Sequence, residues 1–396
     1  MLSAMLTRQG FEVVQAGSGV EAIRIIESNA PDLILSDWMM PEMNGLDLCQ
    51  HVRGLPSARY IYFILLTAKS EKEAVAQGLD VGADDFLTKP VSAQELRARI
   101  MAGARILQME RELARKNAQF SAALEEIQGL YGAIERDLAE ARKMQLALVP
   151  EKFRDFGSAQ VSLLLKPSGH VGGDLVGMFD AGRSRVAVFS IDVSGHGVAS
   201  ALLTARLAGN LSNGAPEQNV ALVLDPDGHY IGRPPQEVAT LLNDVMLEEM
   251  QSDLYLTAII AYINVETGAV DIVQCGHPNP AIIRADGSVE IIGRTGLPIG
   301  LIEDAEYEQW RIALEPGDRL LFYSDGFTEC VGQNDTMLEE SGLKKILAQN
   351  AELEANDFLE ALVWDLDLFC KTPDFPDDLS CALIEFRGEA APKPDA

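Results

Sequence analysis

Short apolar runs alternate with amphipathic segments over residues 1–105. The runs "FEVV", "DLILSD", "YIYFILLTA" and "DDFLTKP" predict strands, and periodic apolar positions predict helices at about 19–28, 45–54, 71–80 and 92–107. The run "YIYFILL" is continuously apolar, which is typical of a parallel strand buried on both faces. The alternation predicts a doubly wound α/β domain whose functional groups lie at the carboxyl ends of its strands.

A seven-residue repeat marks residues 106–150 as a different region. Apolar side chains recur, with charged residues between them, at Ile106, Leu113, Phe120, Ile127, Ile134, Ala141 and Leu148. Such a repeat predicts a long helix that pairs with a second copy in a parallel coiled coil, and therefore a homodimer. A single helix lying on its own domain is the alternative interpretation. Pro150 is expected to end the helix.

Strand-like and helix-like stretches are segregated in residues 151–390. Strands are predicted at "VSLLLK", "RVAVFSID", "LYLTAIIAYIN", "AVDIVQCG", "PAIIR", "DRLLFYSDG" and "LSCALIEF". Helices are predicted after Gly197 and at about 234–250, 340–350 and 355–370. This order favours an α+β layered fold. The tail, residues 391–396, has the composition of a disordered segment.

Composition narrows the classes of function. A chain of 396 residues is long enough for two or three domains with real cores. Its net charge of −28 disfavours nucleic acid as a partner, because phosphate would be repelled. The longest apolar runs are too short to span a bilayer. The five cysteines are scattered, which indicates buried thiols in a reducing cytoplasm: Cys49, Cys275, Cys330, Cys370 and Cys381.

Three polar residues end successive predicted strands of the first region. They are Asp37, Thr67 and Lys89, and each taken singly is explained as a strand-end cap. A carboxylate, a hydroxyl and an ammonium group at one sheet edge suit phosphoryl transfer to the carboxylate. With "PEMNG" and "GADDFLTKP", the region resembles a response-regulator receiver domain. The resemblance implies that Asp37 accepts phosphate from a histidine kinase, that Thr67 and Lys89 hold the phosphorylated state, and that the peptide before Pro90 is cis.

One part of the receiver pattern is missing from this sequence. A receiver begins with a strand that ends in an acidic pair for Mg²⁺, whereas this chain begins at "MLSAMLTRQG", similar to the second half of the first helix. Either the reading frame starts upstream, or the receiver is degenerate and cannot be phosphorylated. Mg²⁺ is expected in the receiver only in the first case.

Acidic residues recur around strand ends in the third region. They are Asp174 in "VGGD", Asp192 in "SIDVSGHG", Asp325 in "FYSDGFTE", and Asp377 and Asp378 in "FPDDLS". Carboxylates without His or Cys are hard oxygen ligands, suited to Mg²⁺ or Mn²⁺. Two such ions about 3.5–4 Å apart can activate water and clamp a phosphate. Ordinary D-G turns on an acidic surface are the alternative.

The order of the motifs extends this hypothesis. "QLALVP", "VGGD", "DVSGHGVASALL", "YLTAIIA", "CGHPNPAIIR", "GLPIGL", "GDRLLFYSDGFTE" and "DDLSCALIEF" follow one another from about residue 140 to 387. This series resembles the metal-dependent PPM (type 2C-like) protein phosphatases of the SpoIIE/RsbU kind, and implies a β-sandwich core. It implies that Asp174, Asp192, Asp325 and Asp377 bind two Mn²⁺ or Mg²⁺ ions, with the Val193 carbonyl as a further ligand and Asp378 behind them. Asp192 and Asp325 are the residues expected to be essential for catalysis.

A phosphatase with a receiver is the function that these resemblances imply. It would hydrolyse phosphoserine or phosphothreonine on a protein, and the expected substrate is a phosphorylated STAS-domain anti-sigma-factor antagonist. A pseudophosphatase that binds a partner under receiver control is the alternative. The family often has a second Asp three residues after "GGD", where this chain has Gly177. Lys166, His170 and His196 are candidates for phosphate contact or, more simply, turn and packing residues.

Overall fold

The structure is a computed structural model of the chain. It describes residues 2–55, 59–68, 79–149, 151–195, 197–212, 214–249, 254–333, 335–370 and 375–388. The chain divides into two compact units, residues 1–130 and 131–396. One helix, Ala93–Leu146, runs from the first unit into the second. Among the described helices, none is both long enough and apolar enough to cross a membrane.

The first unit is an α/β fold with a parallel sheet. Its strands are adjacent in chain order and comprise β1 (Leu33–Asp37), β2 (Tyr62–Ala68) and β3 (Asp85–Lys89). Its helices are α1 (Leu2–Arg8), α2 (Gly19–Ser28), α3 (Gly45–Gly54) and the beginning of α4 (Ala93–Leu146). The helices predicted at 19–28 and 45–54 are confirmed. The helix predicted at 71–80 falls largely on residues 69–78, outside the described residues.

Strand β2 is buried on both faces, as its apolar run predicts. Phe63 and Leu65 belong to a core cluster with residues of α2 and α3. Tyr62, Ile64 and Leu66 belong to a second cluster, with residues of α4. Full burial of one such side chain stabilises a fold by about 1.5–3 kcal/mol, so β2 holds the two layers of helices to the sheet.

The prediction of a strand at "FEVV" is wrong. Residues 11–16 form neither helix nor strand, and Phe11 and Val14 are exposed. A strand requires a neighbour that satisfies its backbone hydrogen bonds. Within the described residues, β1 pairs only with β2, and residues 11–14 pair with no strand. An apolar run with β propensity therefore remains irregular for lack of a partner.

Helix α4 contains 54 residues and ends at Leu146. The predicted repeat runs two residues too far, because Ala147 and Leu148 form a turn. Four apolar residues of the repeat are 48–66 % exposed in the single chain, namely Leu113, Phe120, Ile127 and Ile134. Such exposure matches an unpaired coiled-coil seam, and the coiled-coil dimer stays a prediction.

Two antiparallel sheets form the framework of the second unit. The five-stranded sheet has the order β14-β11-β10-β7-β6, and the six-stranded sheet has the order β13-β12-β15-β16-β5-β4. Their strands, numbered along the chain, are β4 (Phe153–Asp155), β5 (Ala159–Lys166), β6 (Asp174–Asp180), β7 (Arg185–Val193), β10 (Leu256–Asn264), β11 (Ala269–Cys275), β12 (Ala281–Ile283), β13 (Val289–Ile291), β14 (Gln309–Ala313), β15 (Arg319–Tyr323) and β16 (Leu379–Phe386). A separate hairpin joins β8 (Leu222–Leu224) and β9 (Tyr230–Gly232).

Helices cover both outer faces of this β-sandwich. The helices are α5 (Val198–Asn210), α6 (Pro235–Glu249), α7 (Glu339–Gln349) and α8 (Ala355–Phe369), close to the predicted ranges. Helices α5 and α6 contact the five-stranded sheet, whereas α7 and α8 contact the other. Apolar side chains of the two sheets, such as Val188 and Ile384, share one core. The layered architecture is the predicted one.

All five cysteines are free thiols. Four of them are buried and Cys370 is half-buried. The prediction of buried thiols is therefore confirmed for four of the five.

Candidate active site

Four chain segments bring acidic side chains to one pocket of the second unit. Asp174 begins β6 and lies directly opposite Asp192 of β7 in the antiparallel register. Asp325 begins a short 3₁₀ helix, Asp325–Phe327, and Asp377 precedes β16. The pocket has a volume of about 690 Å³, and Asp192, Asp325, Asp377, Asp378 and Val193 line it. Asp174 is 2 % exposed and does not line the pocket.

The two glycines of "VGGD" permit the close approach of this loop to its neighbours. A Cβ atom on Gly172 would lie 2.0 Å from Oδ2 of Asp378, and one on Gly173 would lie 2.6 Å from the carbonyl oxygen of Val193. Neither position has room for a side chain. The glycines therefore bring Asp174 next to the end of β7, where Asp192 and Val193 lie.

Asp378 holds this loop in place. Its carboxylate accepts hydrogen bonds from the backbone N–H groups of Ser168 at 2.8 Å and Gly173 at 2.7 Å. A weaker bond comes from the N–H of Asp174 at 3.4 Å. Both carboxylate oxygens thus accept hydrogen bonds from the loop, and the supporting role of Asp378 stays a prediction.

Mutual repulsion and burial raise the pKa values of the clustered acids. Burial, followed by the charges of Asp192 and Asp378, holds the pKa of Asp174 well above its usual value. Burial and the charges of Asp325 and Asp377 raise the pKa of Asp192 to about 7. Burial and Asp377 raise the pKa of Asp325 to about 6. The ionised cluster is therefore destabilised in the absence of a nearby cation.

The donor set fits hard divalent cations. Oδ2 of Asp174 is buried and has no hydrogen-bond partner of normal geometry, so a ligand-capable oxygen is left unsatisfied. Among the described residues, no three acidic, His or Cys side chains close around one point. Mg²⁺ typically takes one or two carboxylates and keeps several waters, so an open cluster suits it or the similar Mn²⁺. Asp174, Asp192, Asp325 and Asp377 are the residues that would hold such ions.

Gly177 does not offer space for an additional acidic ligand. A Cβ atom there would lie 2.3 Å from the ring of Phe189, the neighbouring residue in register on β7. Phe189 belongs to the sandwich core. The place that an Asp side chain would take in this chain is filled by an aromatic ring.

Of the three candidates for phosphate contact, one lines the pocket, one does not, and one lies outside the described residues. His170 lines the pocket. The Nζ atom of Lys166 lies 4.5 Å from the ring centroid of Phe375 and does not line the pocket. His196 falls outside the described residues.

Two residues near the pocket are absent from the sequence-based predictions. Thr257 of β10 lines the pocket and is paired in register with Asp192. Gln145 of α4 is 5 % exposed, and its side chain bonds both backbone groups of Gly172. Both residues lie inside recognised motifs, "YLTAIIA" and "QLALVP". Their polarity within otherwise apolar stretches was the available signal.

The first unit brings its three predicted residues to one sheet edge. Asp37, Thr67 and Lys89 lie at the carboxyl ends of β1, β2 and β3, and Lys89 forms an ion pair with Asp37. Thr67 is 1 % exposed and donates a hydrogen bond to the carbonyl of Ala68. The peptide between Lys89 and Pro90 is cis, as predicted.

Comparison with known proteins assigns both units. Residues 1–101 match the response regulator receiver domain, and residues 182–387 match the Stage II sporulation protein E (SpoIIE) family. The first unit is 41 % identical over 102 residues to the phosphate regulon transcriptional regulatory protein PhoB of Pseudomonas aeruginosa, covering 26 % of this chain and 44 % of that protein. It is 38 % identical over 102 residues to the alkaline phosphatase synthesis transcriptional regulatory protein PhoP of Bacillus subtilis, covering 26 % of this chain and 42 % of that one. The chain thus spans less than half the length of these curated relatives.

A solved structure shares the fold of the second unit. The SiaA-PP2C domain of Pseudomonas aeruginosa is 19 % identical, with a TM-score of 0.54, and the match covers 65 % of this chain and 98 % of that domain. At this identity the likeness establishes the fold alone. The family match over more than half of the chain shows that this protein belongs to the SpoIIE family; its second unit has the fold of the SiaA-PP2C domain, and its first unit matches the response regulator receiver domain.

Proposed function

We propose that the chain is a metal-dependent phosphatase that removes phosphate from serine or threonine of a protein substrate. The carrying observation is the acidic cluster around the pocket, in which Asp192 and Asp325 have raised pKa values and Asp174 keeps an unsatisfied buried oxygen. The family match supports the reaction class. By resemblance to RsbU-type enzymes, the substrate is a phosphorylated STAS-domain anti-sigma-factor antagonist.

The residues around the pocket have different proposed roles, which follow from where each of them lies. Asp192 lines the pocket, and burial together with the charges of Asp325 and Asp377 raises its pKa. Two Mn²⁺ or Mg²⁺ ions, when bound, supply a water of lowered pKa and neutralise the phosphate charge. Asp378 and the glycine loop fix Asp174 from behind, and Val193 presents a backbone carbonyl beside Gly173. Without cations, these carboxylates would repel a phosphate dianion.

Activity measurements separate this function from the pseudophosphatase alternative. The full chain is assayed on p-nitrophenyl phosphate and on a phosphoserine peptide, with Mn²⁺ and then with a chelator. We expect turnover that requires Mn²⁺, persists in Glu360→Gln, an exposed carboxylate of α8, and is lost in Asp325→Asn. No turnover of the parent with Mn²⁺ would favour the binding module, whereas equal rates for the parent and Asp325→Asn would remove Asp325 from the site.

We further propose that the receiver acts through α4. The helix is continuous from Ala93 in the first unit to Leu146 in the second. At its end, Gln145 holds Gly172, two residues before Asp174, and Arg142 donates to the carbonyl of Pro167 at 3.3 Å. A histidine kinase is the expected phosphate donor for Asp37, because the receiver match includes this residue.

A parallel homodimer through α4 is the proposed assembly. The exposed apolar repeat supports it, since a lone helix leaves this seam in water. Analytical ultracentrifugation of the parent and of a Phe120→Glu, Ile127→Glu double variant tests the assembly. We expect a dimer for the parent and a monomer for the variant, whereas equal masses would exclude this seam as the interface.

A further inference from the structure

A neutral hydroxyl continues the acidic row across the five-stranded sheet. Asp174 of β6 is paired with Asp192 of β7, and Asp192 is paired with Thr257 of β10. Directly opposite residues share a face, with Cβ atoms about 4.5–5.5 Å apart. Thr257 and Asp192 both line the pocket. The third position of the row therefore presents an uncharged group to whatever the pocket binds.

His277 lies behind Thr257. Its ring is 3 % exposed, and Nδ1 lies 3.0 Å from Oγ1 of Thr257. The side chain of Gln274 donates to the His277 carbonyl at 2.7 Å and holds the turn that carries the ring. Nε2 of His277 is buried without a hydrogen-bond partner. Burial lowers the pKa of His277 to about 3, which keeps the imidazole neutral.

A neutral imidazole has one N–H group, and the surroundings favour its placement on Nδ1. If the proton were on Nε2, a buried N–H would lack an acceptor. With the proton on Nδ1, His277 donates to Oγ1 of Thr257, and Nε2 is only an unpaired acceptor. Buried donors without partners are rarer than unpaired acceptors. Thr257 then accepts this bond through Oγ1 and keeps its own proton for a further hydrogen bond.

We infer that Thr257 is a substrate-binding residue that donates its hydroxyl hydrogen bond to a phosphoryl oxygen, and that His277 is the positioning residue behind it. The inference rests on the proposed function. The acids that line the pocket can only accept hydrogen bonds when ionised, so they cannot bind phosphate directly. A fixed donor beside Asp192 contacts phosphate without competing for cations.

Substitution of Thr257 tests the contact. Affinity for inorganic phosphate is measured by calorimetry and as product inhibition, with Mn²⁺ present, for Thr257→Val and the matched Thr257→Ser. Hydrogen bonds to charged groups are stronger than those between neutral groups. We therefore expect Thr257→Val to weaken phosphate binding and to lower kcat/KM, each by about 10- to 100-fold. Thr257→Ser retains the hydroxyl and is expected to stay within about threefold of the parent. Mn²⁺ affinity should be unchanged in both, whereas Thr257→Val should lower the Tm because it leaves the buried Nδ1–H group of His277 without an acceptor.

Substitution of His277 tests the positioning. The amide nitrogen of His277→Asn takes the place of Nδ1 and preserves the donor, whereas His277→Leu removes it. We expect phosphate affinity to be nearly retained in His277→Asn and lowered in His277→Leu when both proteins bind Mn²⁺ normally. The inference would be overturned if Thr257→Val bound phosphate as tightly as the parent, or if the Mn²⁺-loaded parent bound no phosphate. Phosphate binding without turnover would count against the proposed function alone, because the affinity comparison still tests Thr257.

Discussion

Gln145 and Gly172 exchange two hydrogen bonds. The Gln145 amide donates to the Gly172 carbonyl at 2.6 Å and accepts from the Gly172 N–H at 2.9 Å. This reciprocal pair resembles a backbone pair of a sheet, although one member is a side chain at the end of α4. It satisfies both backbone groups of a buried residue beside the acidic cluster.

Replacement of Gln145 by Leu should therefore change both stability and metal requirement. The substitution leaves two buried backbone groups of Gly172 unsatisfied, at a cost of about 1–3 kcal/mol each. We expect a lower Tm and a higher Mn²⁺ concentration for half-maximal activity, measured by thermal unfolding and a metal titration. Gln236→Leu, at an exposed position of α6, is the control. A fall in Tm alone, with the titration unchanged, would limit Gln145 to a structural role.

Gly172→Ala should inactivate the protein because its Cβ atom would lie 2.0 Å from the Asp378 carboxylate. The loop must move and take Asp174 with it. Gly129→Ala is the matched control, since no atom lies within 4 Å of its Cβ position on α4. That control should be stabilised by up to about 1 kcal/mol, because Ala favours helix more than Gly does. Turnover and circular dichroism distinguish the two variants; normal turnover of Gly172→Ala would contradict the description of this loop.

Asp325→Asn should reduce turnover by orders of magnitude while leaving the fold intact. The substitution removes one charge from a cluster of like charges, so the metal-free protein should not be destabilised. Mn²⁺ should raise the Tm of the parent and have little effect on the variant. Near-normal turnover of the folded variant with Mn²⁺ would remove Asp325 from the site.

Metal-free stability should fall as pH rises from about 4 to about 7 and should change little above pH 8. The pKa of Asp192 is about 7 in the folded protein and 3.8 in a free side chain. In this range the folded state binds more protons than the unfolded state, so the free energy of unfolding decreases with rising pH. Asp192→Asn should make the free energy of unfolding depend less on pH. Mn²⁺ should reduce the loss of stability at higher pH, because it binds the ionised carboxylate. Chemical denaturation at several pH values checks this; identical slopes for parent and variant would refute it.

Control of the phosphatase by the receiver should survive a deletion in α4 only if the deletion preserves the rotation of one end of the helix relative to the other. Removal of seven residues around Ala122 preserves the repeat, whereas removal of four turns one end by about 40° relative to the other. We expect receiver-dependent turnover to persist after the seven-residue deletion and to be fixed high or low after the four-residue deletion. Phosphatase assays with and without receiver phosphorylation measure this. Regulation that tolerates both deletions would make α4 a simple tether.

The sequence predicts elements well where periodicity is strong. The ranges of α6, α7 and α8 differ from prediction by about one residue, because each helix has an amphipathic pattern of apolar positions. The segment "FEVV" fails because strand formation depends on a partner that local pattern does not contain. The predicted end of α4 fails for a smaller reason: residues near a proline leave the helix before it.

The candidate site was predictable as a set of acids but not as an arrangement. Motif order predicts Asp174, Asp192, Asp325 and Asp377 as ligands; the last three line one pocket, and their role as ligands stays a prediction. The spacing of these residues along the chain could not show that Asp174 lies directly opposite Asp192, since this follows from the register of β6 and β7. The contact of Gln145 with Gly172 likewise joins residues separated by 27 positions.

The ring of Phe189 in the space beside Gly177 has an evolutionary consequence. An acidic side chain at position 177 would collide with the ring, and a smaller residue at 189 alone would leave a cavity in the core. Each single change is harmful, and only the two together could add a carboxylate. The residue at position 189 therefore constrains the residue at position 177, and this expected epistasis couples the packing of the core to the side chains that the strand beside the site can acquire.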